Sequence, residues 1–542
     1  MPQPIQFSRV LRFHLFAVGF ICCFSLTASG DHIRELQKRA EKLETSDWGH
    51  WGANPKEYSS WTSHSNRLVP IYTFGANLDQ FDGEQSLYRD QNKVQQLYGY
   101  SAPATFNAAA DYCDQTDVYR LQQNALKSGK KYIILMVFDG MDWQTTQAAA
   151  TFASGQSYAS GRGAGLHFLD YSGVETDFGY FVSSPHNEGT ETDPNAQTVV
   201  NPGGNKRGGY SAIYGGATPW ARPTSDQYLL GEMRAIPHVV TDSASSATSM
   251  MSGIKTYNSA INVTPEGKQI KPLARQLQAE REFAIGVVTS VPISHATPAA
   301  SYANNVSRYD YQDIARDLIG VPSVSNRREP LPGVDVLLGA GWGEDATESE
   351  KQGENFVPGN TYLTESDMQR VDIKNGGQYV VVQRQAKANG KVSLNDAARE
   401  AVVKKSRLLG YFGASGGHLP YQTADGAFDP VGEQYSAEDV SENPTLADMT
   451  LVALTHLSQN ENGFWLLIEP GDVDWANHAN NIDNSIGAVL SGDAAFKTIT
   501  RWVELNDAWD ETLLIVTADH GHYLVLDQPQ ELADSDASGI AE

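Results

Sequence analysis

Cysteine is scarce in this chain: there are 3 in 542 residues. Cys22 and Cys23 fall in a short apolar run near the start, which leaves Cys113 alone in the rest. A disulfide framework inside that remainder is excluded, and Cys113 reads as a buried packing residue, not a nucleophile. Basic residues are also few. Against 65 Asp and Glu stand 40 Lys and Arg, a formal net charge of −25. That balance argues against a nucleic-acid backbone as partner. An anionic small substrate stays compatible where bound metals invert the local field. Long apolar runs are missing beyond the first thirty residues, and none approaches the roughly 20 residues that a membrane-spanning helix needs. There are no internal repeats, and Gly 48 with Pro 24 indicates many turns, not low complexity.

The length suits one large α/β domain with insertions, or two or three smaller ones. Hydrophobic residues make up 40% and aromatics 10%, enough for a sizeable core. Residues 1–30 have the pattern of a signal peptide: Arg9 and Arg12, an apolar run from Phe13 to Leu26, and the small residues Ala28-Ser29-Gly30. Export to an extracytoplasmic compartment, periplasmic or secreted, is expected. An uncleaved anchor is the alternative. Residues 31–63 form an N-terminal extension in which Trp48, Trp51 and Trp61 predict packing onto the main body.

Apolar runs then recur, each leading to polar residues. Tyr132 to Phe138 leads to Asp139-Gly140-Met141, and Ala284 to Thr289 leads to His295-Ala296-Thr297. Val334 to Leu338 leads to Gly339-Ala340-Gly341, Phe464 to Ile468 to Glu469, and Leu513 to Thr517 to Asp519-His520. Continuous apolar runs of this length are the mark of strands buried on both faces. Helical periodicity lies between them, over 269–282, 311–319, 445–458 and 490–507. This alternation predicts an α/β fold, with a doubly wound, mostly parallel central sheet flanked by helices. Residues 342–440, richer in Gly, Asn and acidic groups, read as an insertion or cap with one strand at Tyr379 to Val382.

Doubly wound folds place ligands at the C-terminal ends of their strands, where this chain gathers carboxylates and histidines. Asp474 and His478 are four apart and face one way on a helix. Asp519, His520 and His522 follow a buried strand, and Asp139 stands at the end of another. Glu469 and Thr297 offer hard oxygens, suited to Mg²⁺ more than to Zn²⁺. Singly, each reads as a turn, a cap or a surface group; as a set they read as a metal centre. Ser243, after Val239-Val240 and at the start of a run of small residues, is expected at a helix N-terminus, which favours an oxyanion. Phosphoryl transfer fits this set: two Zn²⁺ about 4 Å apart can stabilise the attacking and leaving oxygens of an in-line displacement. Ser243 is the candidate nucleophile, and Arg308 can clamp phosphate oxygens bidentately.

These motifs resemble the alkaline phosphatase family over most of residues 64–525. Thr241-Asp242-Ser243-Ala244-Ser245-Ser246-Ala247-Thr248 is similar to the family's nucleophile motif, so the resemblance makes Ser243 the phosphorylated serine. It implies two zinc ions and one magnesium ion. Asp139 would bridge one zinc and the magnesium; Thr297 and Glu469 would complete the magnesium site. Asp519 and His520 would hold that same zinc, and Asp474 and His478 the other. His522 matches a supporting histidine and Arg308 the phosphate-binding arginine. There are departures. Asp142 replaces the glycine usual after Asp-Gly-Met. Trp475 stands where some members carry Lys or His, which touches phosphate affinity. His295 stands where others carry Asp, so the third site is open to Zn²⁺ as well. A homodimer is also what the resemblance implies.

The family takes a third ligand for the Asp474/His478 zinc from a histidine late in its sequence, and no histidine follows His522 here. The matching motif lies at the other end: His64, then Val69-Pro70-Ile71-Tyr72-Thr73-Phe74-Gly75. Asp114 to Val118 resembles the start of the family's C-terminal helix. The expected arrangement is a circular permutation, in which residues 64–130 correspond to the family's C-terminal part and 64–542 form the catalytic domain. A truncated chain and a chance match at His64 are the alternatives. The expected function is metal-dependent hydrolysis of small phosphomonoesters. The alternatives are a phosphodiesterase on the same scaffold and a non-catalytic phosphate-binding surface protein.

Overall fold

The computed structural model describes residues 32–430 and 435–533. The expected signal peptide, residues 1–30, lies outside the described residues. Ten strands form the central sheet: β1 Val69–Phe74, β2 Cys113–Asp114, β3 Tyr132–Val137, β4 Thr176–Val182, β5 Ala284–Pro292, β6 Val336–Ala340, β7 Tyr379–Gln383, β8 Arg407–Tyr411, β9 Phe464–Glu469 and β10 Thr512–Thr517. Their order is β7-β8-β6-β5-β9-β3-β10-β1-β4-β2. The seven from β7 to β10 run parallel, β1 is antiparallel to both its neighbours, and β2 is parallel to β4.

The middle strands are the apolar runs of the sequence. β5, β9 and β10 are buried over their whole length, as is β3 after its first residue. Burying a run such as Leu513-Leu514-Ile515-Val516 on both faces stabilises the sheet by about 25 cal/mol for each Å² of apolar surface removed from water. The sequence pattern predicts one strand within 342–440. The structure has four there: β7 and β8 extend the parallel sheet at one edge, and the short strands Asp345–Ala346 and Gly359–Asn360 pair with each other. The β8 run is short and interrupted by Gly410, so its pattern is weak.

Helices cover the sheet. The helix Ser243–Ser252 is buried throughout, which its small side chains permit. Asp242 caps it by accepting from the Ser245 amide, and Gly253, at φ 71°, ends it in the left-handed conformation. The last long helix, Ile482–Leu505, starts eight residues before the periodicity of 490–507 suggests. Its first turn is polar yet buried, because partners fill it: Asn481 caps it, Ser485 donates to Asn477 at 2.7 Å, and Arg34 reaches Asp483 at 3.1 Å. Arg34 belongs to the helix His32–Leu43, so the N-terminal extension packs on the main body. Nearby, Gly49–Trp51 pairs antiparallel with Leu524–Leu526.

Strand direction positions the site. Glu469 ends β9, Asp139 lies just beyond β3 and Asp519 just beyond β10, all at the C-terminal edge of the parallel strands. Because β1 runs the opposite way beside β10, the residues that precede it arrive at that same edge. Ser65 bridges to Gly521 there.

Candidate metal centre

Two groups of ligand atoms form at this edge. His64, Asp474, His478 and His522 make one; Asp139, Asp474 and His520 make the other, and within each the ligand atoms lie within 4.8 Å of one another. Asp474 is common to both. In the first group the His64 and His478 Nε2 atoms are 3.1 Å apart, and they lie 3.6 and 3.5 Å from Asp474 Oδ1. His522 Nε2 is closer to that oxygen, at 2.6 Å. In the second group His520 Nε2 is 3.3 Å from both Asp139 Oδ1 and Asp519 Oδ2, and 3.2 Å from Ser243 Oγ.

In two histidines of the first group the second nitrogen is fixed by the main chain. His64 Nδ1 donates to the Thr241 carbonyl at 2.9 Å, and His478 Nδ1 donates to the Thr62 carbonyl at 2.7 Å. With Nδ1 donating, each Nε2 faces the other ring, an arrangement suited to a shared cation. The Thr62 stretch is itself held. Asn480 donates to the Trp61 carbonyl, Tyr58 donates to the Asn480 carbonyl, and Trp61 donates to the His64 carbonyl, each at 3.0 Å.

The carboxylates show the same need for positive charge. Burial, then the charge of Asp474, pushes Asp139 up to about 7; burial, then Asp139, pushes Asp519 to about 7. Burial and Asp139 likewise raise Glu469 well above its usual range. Asp474 goes the other way: although burial opposes it, the facing histidines His478, His522 and His64 hold it well below. Three buried oxygens nearby have no hydrogen-bond partner: Thr297 Oγ1, Glu469 Oε1 and Asp519 Oδ2. Crowded carboxylates and orphaned hard oxygens are the donor set a divalent cation takes, so the residues fit bound metal.

Ser243 opens its helix, with Oγ 3.5 Å from Asp139 Oδ1. Arg308 Nη1 donates to Asp242 Oδ2 at 3.0 Å, and that carboxylate also takes the Ser245 and Ser259 amides. One residue therefore caps the serine helix and aims the arginine. The signal for Asp242 in the sequence is its place immediately before a run of small residues, where an Asp caps a helix. Asp142 has a related task. It is fully buried and caps the helix Trp143–Ser154 through the Thr145 amide. His295 and Trp475 stand apart from the ligand atoms: their rings meet each other at 5.6 Å, and His295 stacks on Tyr311. The aromatic residues around them were not legible as a set, because Tyr362 comes from the far 342–440 stretch.

Residues 218–533 match the family model for alkaline phosphatase. The chain belongs to the alkaline phosphatase family. Alkaline phosphatase 4 of Bacillus subtilis (strain 168) is 29% identical over 301 residues, covering 54% of this chain and 53% of its own. The alkaline phosphatase of Escherichia coli (strain K12) is 30% identical over 338 residues, 58% of this chain and 64% of its own. The chain thus spans between half and two thirds of these curated alkaline phosphatases. Among solved structures, the alkaline phosphatase from the Antarctic bacterium TAB5 aligns over 73% of this chain and 80% of its own, with 20% identity and a TM-score of 0.43.

Proposed function

We propose that this alkaline phosphatase family member hydrolyses phosphomonoesters through a covalent phosphoserine at Ser243. The observation that carries the reading is the placement of Ser243 Oγ, 3.2 Å from His520 and 3.5 Å from Asp139, within a cluster of ligand atoms and at a helix start. His64, Asp474 and His478 would hold one zinc, and Asp139, Asp519 and His520 the other. Asp139, Thr297 and Glu469 would hold magnesium. Bound there, the cations would stabilise charge on the attacking and leaving oxygens.

The chain's own groups do the rest. Ser243 Oγ gives up its proton to solvent and attacks phosphorus, the P–O bond to the leaving alcohol breaks, and that oxygen takes a proton from solvent. Water then cleaves the serine–phosphate bond and releases inorganic phosphate and free serine. Arg308, held by Asp242, binds the oxygens that take no part in bond exchange. The free N–H groups at the helix start favour the same anion. His522 positions Asp474 through its 2.6 Å contact.

We further propose the permuted order, with residues 64–130 in the place of the family's C-terminal part. Two features support it: His64, in the segment leading into the antiparallel strand β1, reaches the Asp474/His478 group, and the helix Gln115–Lys127 leads through a short turn into β3. Export rests on the pattern of residues 1–30. Among the described residues no helix is long and apolar enough to cross a membrane.

The test is turnover of an aryl phosphate and an aryl phosphodiester, each with and without chelator. Chelator-sensitive hydrolysis of the monoester, well above that of the diester, is expected. Preference for the diester, or binding of phosphate without turnover of either, would overturn the reading.

A further inference from the structure

We propose that the leaving group of the substrate is flat and aromatic, selected by a mouth of rings to which residues 342–440 contribute. This rests on the phosphomonoesterase reading and names its substrate class. Five partly exposed rings form an unbroken row. Tyr309, next to Arg308, lies 6.4 Å from Tyr311; Tyr311 stacks on His295 at 5.6 Å and 21° and meets Tyr362 edge-on at 5.0 Å. His295 in turn lies 5.6 Å from Trp475, which follows Asp474. The row therefore runs from the neighbour of the phosphate arginine to the neighbour of the carboxylate common to both ligand groups.

Arg308 and Asp474 both belong to the proposed site, so the two ends of this row lie beside the phosphate that Ser243 would take. Tyr309 is the outermost ring, 36% exposed, with the Lys351 ammonium 4.4 Å from its centroid. Lys351 and Tyr362 both come from the 342–440 stretch, which gives that stretch a place at the site. The exposed parts of these rings, beside a polar centre, suit a second π-system, which packs against aromatic rings in offset or edge-on geometry. A small alkyl group offers no such face. A phenol-type group and a nucleobase both do, and the test separates them.

Binding of phosphonates, which are not hydrolysed, removes leaving-group reactivity from the comparison. Phenylphosphonate, methylphosphonate and adenosine 5′-phosphonate would be titrated calorimetrically into the metal-loaded protein and into Tyr309→Ala and Tyr362→Ala. The parent is expected to bind at least one aromatic probe more tightly than methylphosphonate. Each variant is expected to weaken that probe by about three- to tenfold, the range of a lost aromatic pair, with methylphosphonate changed less than twofold. Loss confined to phenylphosphonate assigns a phenol-type group, and loss confined to the adenosine probe assigns a nucleobase. Equal weakening of all three probes, or no weakening of either aromatic one, would overturn the proposal. Tyr309→Ala changes an exposed side chain, so it reports even if Tyr362→Ala fails to fold. Because no turnover is needed, a protein that discriminates the probes but hydrolyses no monoester would sink the phosphatase reading alone.

Discussion

His64 Nε2 lies 3.1 Å from His478 Nε2, across 414 residues of chain. Each ring donates its other nitrogen to a main-chain carbonyl, of Thr241 and Thr62. Two imidazoles held with their Nε2 atoms facing, beside the buried carboxylate of Asp474, place ligand atoms close enough together to share one cation.

His64→Ala should therefore lower zinc content and activity together. A hydrolytic zinc commonly takes three protein ligands and keeps a position for water or substrate, so removing one of three is expected to weaken binding severely. Folding should change little, since the residue lies at the rim of the sheet. His32, which contacts the Glu531 carbonyl, and His50, which lies 3.7 Å from Asp527, are the controls. Metal analysis after dialysis checks this; a His64 variant with full zinc would remove the residue from the site.

Arg308→Ala should weaken inhibition by inorganic phosphate and leave metal content intact. Loss of a charge-assisted contact is worth on the order of 1.5–3 kcal/mol, about ten- to a hundredfold in the inhibition constant. Asp242→Ala should do part of the same damage, because it frees the arginine and uncaps the serine helix, and it should cost about 1 kcal/mol of stability besides. Equal phosphate inhibition in parent and Arg308 variant would contradict the clamp.

Asp310 gives a pH signature separate from the metals. Burial, then the charge of Asp313, pushes its carboxyl up to about 8, and Oδ1 has no partner while Oδ2 accepts from Asn305 at 2.8 Å. The folded chain thus holds the proton that the unfolded chain releases near pH 4. The resulting stability is full below that value and is lost as pH rises through about 8. Asp310→Asn, neutral at every pH, should be more stable than the parent at pH 8, with the gap closing toward pH 4. Thermal midpoints of parent and variant across this range check it. A gap that does not grow with pH would show that Asp310 is ionised in the fold.

The strands that frame the site were legible because each is a short run with apolar residues on both faces, and Asp139, Glu469 and Asp519 follow such runs directly. The site's supports were less so. The carbonyls of Thr62 and Thr241 that fix the two histidines are main-chain groups, which carry no residue signature. The early start of the helix at Ile482 depends on Arg34 and Asn477, partners supplied by other elements. Lys351 and Tyr362 meet Tyr309 and Tyr311 only through the path of the 342–440 stretch, which periodicity does not encode.

The measurement that bears most directly on the account is capture of the covalent intermediate. The metal-loaded protein, mixed with excess labelled aryl phosphate and quenched in acid, should retain phosphate on one serine. Peptide mapping should place that phosphate on Ser243, and Ser243→Ala should trap none while keeping its metal content. Phosphate trapped on another residue, or steady turnover by the parent with nothing trapped across the pH range, would contradict the mechanism.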